Sequence, residues 1–372
     1  MTASTRRRAP SLDALLDPRR NGLNIIRLGL AVGVVLWHAV PLTGRALDAH
    51  ALHQVFATLP VDGFFVISGY LILGSWLSRP HLLRYLWARC LRILPGFWGS
   101  LVLTAAVIAP LGILLSAGAL PTDYVRGAVS YVLGDAGLVM RHYDIAGTPD
   151  GLPYPNVWNG SLWTLWYEFV CYLGVALLGV CGLLQRRFTV LVVFVLVLAY
   201  AVVETYAAPG LASGPLGLLQ LTPTATARLA LMFGAGMMLR QYGRHVPVRA
   251  PLLVAAVAAL VASAFLPVWE LVSALPLAYV LLTAGARLRH ERLQVRQDLS
   301  YGMYVNAFPV QQVLAGTALV GLPVLVFGAI SVACTLPFAA FSWFAIERPS
   351  KRLIHAGSKR IPASRERSKV AA

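Results

Sequence analysis

The stretch NIIRLGLAVGVVLWHAV, residues 24–40, is apolar for nearly its whole length, yet it carries two ionisable side chains, Arg27 and His38. With its flanks it runs long enough to cross a hydrocarbon core of roughly 30 Å at about 1.5 Å per residue. The step from Arg27 to His38, at about 100° per residue, leaves an offset of only about 20° and a rise of roughly 16 Å. Both side chains therefore share one helix face, Arg27 near one end and His38 near the other. A charge inside a span costs at least a few kcal/mol, so the pair points to a polar path through a bilayer. The plain alternative is that Arg27 snorkels to the interface and His38 is a satisfied interfacial histidine.

The rest of the chain has the same character. Of 372 residues, 58% are hydrophobic and only 12% charged, against about 45–50% and about 25% in soluble domains. This excludes an ordinary cytosolic enzyme, a disordered chain and a DNA-binding domain. Hydropathy draws ten spans, at about 23–41, 60–78, 93–116, 161–183, 188–207, 215–239, 250–266, 270–286, 300–319 and 322–346. The expected fold is an all-α polytopic integral membrane protein, with a membrane domain at 21–350 between basic tails at 1–20 and 351–372. Both tails are expected to be mobile.

The net charge of +16 invites a nucleic-acid reading, but the distribution of the charge removes it. Of the 31 Lys and Arg, 26 fall in the two termini and alternate loops, three in the opposite loops (Arg45, Arg126, Arg141), and two in spans (Arg27, Arg228). Such asymmetry places the basic loops and both termini in the cytoplasm and leaves no role for nucleic acid. The four cysteines lie in or beside apolar segments without metal-type spacing, so they read as packing residues and no metal is expected. The first apolar run continues for a full span and is expected to be retained rather than cleaved. Between spans three and four, 117–160 forms a long outer loop. Its stretch 124–140 reads as a helix on the membrane surface or in the mouth of a cavity. No internal repeat is evident, which argues against a repeat-built transporter.

Other spans carry further candidates. In PVDGFFVISGYLI (60–72), Asp62 sits at the depth of His38 and could orient an imidazole acting as a general base. It could equally cap the span, with Ser68 and Gly69 easing helix packing. In RPHLLRYLWARCLRILPGFW (79–98), Arg89 and Arg92 are helix neighbours that could fork onto one phosphate, although an inside loop is basic in any case. In NVWNGSLWTLWYEFVCYL (156–173), Glu168 falls inside the membrane and calls for a partner, with Arg228 of PTATARLALMFGAG (223–236) as one candidate. The aromatic residues around it, Trp163 and Tyr167 among them, belong at least partly to an interfacial belt.

These residues and their order resemble the bacterial membrane acyltransferase-3 family, which includes O-acetyltransferases of surface glycans and nodulation factors and macrolide acyltransferases. The resemblance covers about 20–350. Arg27 and His38 look like the family's Arg-ten residues-His motif, VDGFFVISGYLI (61–72) like its second-helix signature, and Arg89 with Arg92 like its Arg-x-x-Arg pair. SLWTLWYEFVCY (161–172), SYGMYVNAFPVQQ (300–312) and FAIERPSKRL (344–353) resemble its later motifs. One departure stands out. Many members have a His just before the late Phe-Pro, where this chain has Ala307 before Phe308 and Pro309.

The resemblance implies a multi-pass protein of the bacterial cytoplasmic membrane that uses acyl-CoA, acetyl-CoA foremost, as donor. Arg27, Arg89 and Arg92 would draw the donor phosphates. His38, with Asp62 or Glu168, would act at the acyl group, either as a general base or by forming an acyl-imidazole. Ser68, Trp163 and Tyr167 would contact substrate. The expected acceptor is a hydroxyl of an extracytoplasmic carbohydrate; a macrolide or other secondary metabolite, or a non-enzymatic transporter, are the alternatives.

Overall fold

The computed structural model describes residues 9–17, 21–46, 50–288 and 297–360. Among them the regular structure is helical throughout, and the β-type pairings are two isolated bridges, Ser11 with Pro247 and Ile145 with Thr148. The principal helices are α1 (Leu23–Leu42), α2 (His50–Ser78), α3 (Leu82–Ala117), α4 (Tyr124–Asp135), α5 (Thr164–Val180) and α6 (Thr189–Ala207). They continue with α7 (Pro223–Tyr242), α8 (Ala250–Ser263), α9 (Trp269–Arg287), α10 (Ser300–Ala315) and α11 (Val324–Phe341). A π-helical turn, Ser342–Glu347, leads from α11 into a last helix, α12 (Arg348–Arg360).

Each of the ten expected spans falls on a helix, but only six of the described helices are long and apolar enough to cross a membrane on their own. The chain is a multi-pass membrane protein. Helices α5 and α8 are apolar but short. Helix α7 has the length, yet Arg228 and Arg240 dilute its hydropathy, and α10 is short and carries Asn306, Gln311 and Gln312.

Helix α10 is buried along its whole length except at Val313 and Leu314. Its two glutamine side chains donate to carbonyls of other segments, while Asn306 Nδ2 donates to Gly302 O of the same helix at 2.9 Å. Gln311 Nε2 donates to Val35 O of α1 at 2.9 Å, and Gln312 Nε2 to Tyr154 O at 2.7 Å and Val157 O at 2.6 Å. Helix α10 is thus a central post, fixing α1 and the segment before α5 around it.

Helices α2 and α7 lie side by side because glycines on both remove the intervening side chains. A Cβ on Gly69 would come to 2.0 Å from Phe233 O, and one on Gly236 to 2.0 Å from Val66 O. Small residues allow this approach of backbones in membrane bundles. The same pairing sets Asp62 beside Arg228.

Three segments depart from the sequence reading. Residues 79–92, expected as a loop, are largely helical, because α3 starts at Leu82 and continues to Ala117 through a π-helical turn at Thr104–Ile108. Residues 9–17 do not behave as a loose tail: Leu12 and Leu16 are buried, Leu12 N donates to Val246 O, and Val248 N donates to Pro10 O. The remaining residues of 1–20 lie outside the described ones. The helix after Glu347 runs on to Arg360, beyond the point where the C-terminal tail was drawn; residues 361–372 are outside the described set. In the outer loop, α4 is an amphipathic helix too short to span, with Tyr124 and Tyr131 buried and Val125, Val129 and Leu133 exposed along one stripe.

Candidate active site

At the start of α1, Arg27 enters a buried charge cluster. Its Nη1 donates to Asp298 Oδ2 at 2.8 Å, and Arg92 Nη2 of α3 donates to the same oxygen at 3.0 Å. Arg92 Nη1 also reaches Glu347 Oε2 at 3.3 Å, and Lys351 Nζ stands 3.9 Å from Asp298. The π-helical turn at Ser342–Glu347 carries Glu347 into the cluster, where Ser342 Oγ donates to its Oε1 at 3.2 Å. Ser300 Oγ donates to Asp298 Oδ1 at 2.5 Å. Burial alone would raise the Asp298 carboxyl, but Arg27 and Arg92, with Ser300 and Lys351, hold it well below the usual carboxylate range.

Arg89 and Arg92 do not fork onto one point: Arg92 is committed to two carboxylates and Arg27 to one. Arg89 instead lies over the rings of Tyr85 and Tyr172, 5.7 Å and 5.8 Å from their centroids, and pairs with no carboxylate among the described residues. Of the three arginines it is the one with its charge uncommitted.

His38 lies toward the other end of α1. Its Nδ1 is buried without a hydrogen-bond partner among the described residues, and its ring meets Phe308 edge-on at 5.0 Å. Neither expected carboxylate bonds to it. Asp62 Oδ1 accepts from Arg228 Nε at 2.8 Å. Glu168 Oε1 accepts from Ser68 Oγ at 2.5 Å and from Tyr172 Oη at 2.6 Å. Arg228 therefore partners Asp62 rather than Glu168. Ser68 is tied to Glu168, so it reads as a support for that carboxylate.

Two cavities with part of their lining in common lie along this face of α1. One is lined by Arg27, Phe64, Glu168 and Tyr301, and a second by His38, Trp37, Ser161 and Arg228; Val61, Thr164 and Tyr304 line both. The first, of about 30 Å³, has room for little more than a water, while the second, of about 180 Å³, admits a small group. Tyr304 forms part of the shared wall, its hydroxyl 2.5 Å from Thr164 Oγ1 and 3.0 Å from Ser161 O. Trp163 lines the His38 cavity and also a further one, of about 400 Å³, that includes Tyr167.

Sequence reasoning did not single out Asp298, Glu347, Tyr172 or Tyr304. Tyr172, Tyr304 and Glu347 lay inside quoted motifs, and Asp298 stands two residues before SYGMY. The available signal was scarcity: a chain with only 15 acidic residues seldom places one beside an apolar helix without a cation to meet it.

A family profile described as an acyltransferase domain matches residues 20–343. The chain belongs to the acyltransferase-3 family. Two relatives align over nearly their full lengths. One is the "O-acetyl transferase" of Shigella phage Sf6, 27% identical over 89% of this chain and 96% of its own. The other is "Nodulation protein 10" of Rhizobium leguminosarum bv. viciae, 26% identical over 90% of this chain and 94% of its own. No solved structure matches. As a member of the acyltransferase-3 family the protein is an O-acyltransferase, and the matched region contains Arg27, His38, Arg89, Arg92 and Glu168.

Proposed function

We propose that this acyltransferase moves an acetyl group from cytoplasmic acetyl-CoA to a hydroxyl of an extracytoplasmic carbohydrate across a bacterial cytoplasmic membrane. The observation that carries the reading is the pair of adjoining cavities between Arg27 and His38, on one face of α1 and sharing the wall of Val61, Thr164 and Tyr304. The charge asymmetry of the loops supports ten spans with both termini and the Arg27 end in the cytoplasm. The name of the phage relative supports acetyl as the group and a hydroxyl as its target.

In this reading Arg89 takes the phosphates of the donor, since its guanidinium lies over two rings and pairs with no carboxylate among the described residues. The acyl arm enters past Arg27 and Glu168, which requires the narrow cavity there to widen. His38, whose ring lines the second cavity, takes the proton of the acceptor hydroxyl. The hydroxyl oxygen attacks the thioester carbonyl, the C–S bond breaks, and the leaving sulfur takes the proton from the imidazolium. Free CoA and an O-acyl ester result. Asp62 fixes Arg228 at the edge of the His38 cavity, where its guanidinium can face the oxyanion that develops.

The test is transfer of label from radiolabelled acetyl-CoA in membranes carrying the wild type, His38→Ala or Arg89→Ala. Cell-envelope polysaccharide serves as acceptor, and CoA release is followed in parallel. Label in polysaccharide with the wild type, none with His38→Ala, and a raised donor KM with Arg89→Ala is the expected result. If the wild type releases no CoA and labels nothing, the reading fails.

A further inference from the structure

Beyond Trp163, away from the Arg27 end, the largest of these cavities, about 400 Å³, is built differently from the other two. Four aromatic side chains line it, Tyr143, Trp163, Trp166 and Tyr167, together with Gln220 and Thr222. Among the described residues no Asp, Glu, Lys or Arg does. Its walls are held in place. Trp166 Nε1 donates to Leu219 O at 2.7 Å, and Thr222 N donates to Tyr167 Oη at 2.8 Å, tying the 219–222 turn to α5. On the opposite side the buried Asp135 accepts from the backbone N–H groups of Arg141 at 2.7 Å and His142 at 3.2 Å, which anchors the segment bearing Tyr143. Tyr143 O in turn accepts from Trp158 N at 2.7 Å.

Gln220 is held in the left-handed region, φ +54, although it is not glycine. A non-glycine residue there is uncommon and tends to mark a functional position. Its Nε2 donates to Gly217 O at 3.2 Å, and no described protein group donates to its Oε1. The cavity's size falls within the range that encloses a small ligand.

We propose that this cavity is the acceptor subsite and takes an uncharged sugar ring, stacked by its C–H face on the aromatic rings, with Gln220 and Thr222 bonding its rim of hydroxyls. Aromatic faces carry negative charge density that attracts the weakly positive C–H face of a pyranose. Amide and hydroxyl side chains are the matching partners for hydroxyls that both donate and accept. Because Trp163 also lines the His38 cavity, a ring seated here presents a hydroxyl toward the proposed base. The proposal rests on the carbohydrate reading above and adds where the sugar sits and that it is neutral.

The test compares the wild type with Gln220→Gly and Tyr143→Leu in membrane vesicles. Acetyl-CoA is the donor, and the acceptors are a neutral glucan oligosaccharide, an oligouronide and a macrolide. Glycine suits a φ of +54, so Gln220→Gly removes the side chain without straining the turn. The expected result is acceptance of the neutral oligosaccharide in preference to the oligouronide. Both variants should raise the acceptor KM about ten-fold while the donor KM moves less than about two-fold, the size of effect one aromatic or bidentate contact gives. If the wild type acylates the neutral oligosaccharide but both variants keep its KM, the subsite is wrong and the carbohydrate reading survives. Preference for the oligouronide overturns the neutral-ring assignment. If the wild type acylates only the macrolide, the carbohydrate reading itself falls.

Discussion

Arg27 Nη1 donates to Asp298 Oδ2 across 2.8 Å, joining the start of α1 to a residue two positions before α10. One end of the α1 path is thereby fixed to the central post of the bundle, and Arg92 closes on the same oxygen. A carboxylate bonded to two arginines at once holds both side chains in one geometry before any substrate arrives.

Replacing Asp298 by Asn should therefore weaken the fold and the site together. Removing one partner of a buried ion pair costs about 3–5 kcal/mol, because the remaining charges stay buried. The measurements are thermal unfolding in detergent and the donor KM, with Asp298→Glu restoring part of both. The pH dependence has a definite sign. The Asp298 carboxyl is held below its unfolded value, so its contribution is present above about pH 4 and is lost as pH falls toward the folded value. Between about pH 5 and pH 3 the wild type should lose stability more steeply than Asp298→Asn.

Helices α2 and α7 give a second prediction. At Gly69 an added Cβ would meet Phe233 O at 2.0 Å, a backbone atom that cannot rotate away. Gly69→Ala should push the helices apart, break the Asp62–Arg228 pair at 2.8 Å, and destabilise by about 1–3 kcal/mol or more, as overpacking does. Gly29→Ala, where an added Cβ meets nothing within 4 Å, is the control and should leave stability within about 0.5 kcal/mol. Unfolding midpoints of the two variants decide it.

How much of this could be read from the sequence depends on range. Apolar runs and loop charges are local, so the all-helical membrane fold and the rough course of its helices were legible, although α3 begins at Leu82, inside what reads as a loop. The shared face of Arg27 and His38 follows from helix periodicity alone. Partnerships across helices were not legible, because they depend on packing between segments far apart in the chain. Arg228 is one candidate partner for Glu168 by sequence, yet the close approach of α2 and α7 at Gly69 and Gly236 gives it to Asp62. Arg89 and Arg92 looked equivalent at a spacing of three, but one meets aromatic rings and the other two carboxylates that no local pattern announces. Helix α10 shows the converse: its amides lower its hydropathy because it is buried among other helices rather than facing lipid.

Arg89 gives a third prediction, which separates charge from shape. Its guanidinium is about 5.7–5.8 Å from two ring centroids, and a lysine keeps the charge but not the flat face. Arg89→Lys should raise the donor KM several-fold and Arg89→Ala about ten-fold or more, each with a smaller change in acceptor KM. Arg92→Lys, by contrast, should lower the unfolding temperature, because one ammonium cannot reproduce bonds to both Asp298 and Glu347. Steady-state kinetics beside thermal unfolding test both halves of the contrast.

His38 provides the last. Its Nδ1 makes no hydrogen bond to a described protein group, and its ring contact is to Phe308, so little of the fold hangs on it. A histidine kept for stability would have a hydrogen-bond partner, whereas one kept for proton transfer needs its ring at a cavity, as that of His38 is. His38→Gln should then fold with an unfolding temperature close to that of the wild type and bind donor normally, while transfer falls by about 100-fold or more. Donor binding is read by the shift in unfolding temperature on adding acetyl-CoA, and transfer by label in the acceptor. Loss of both donor binding and stability would assign His38 a structural role, and retained transfer would remove it from the chemistry.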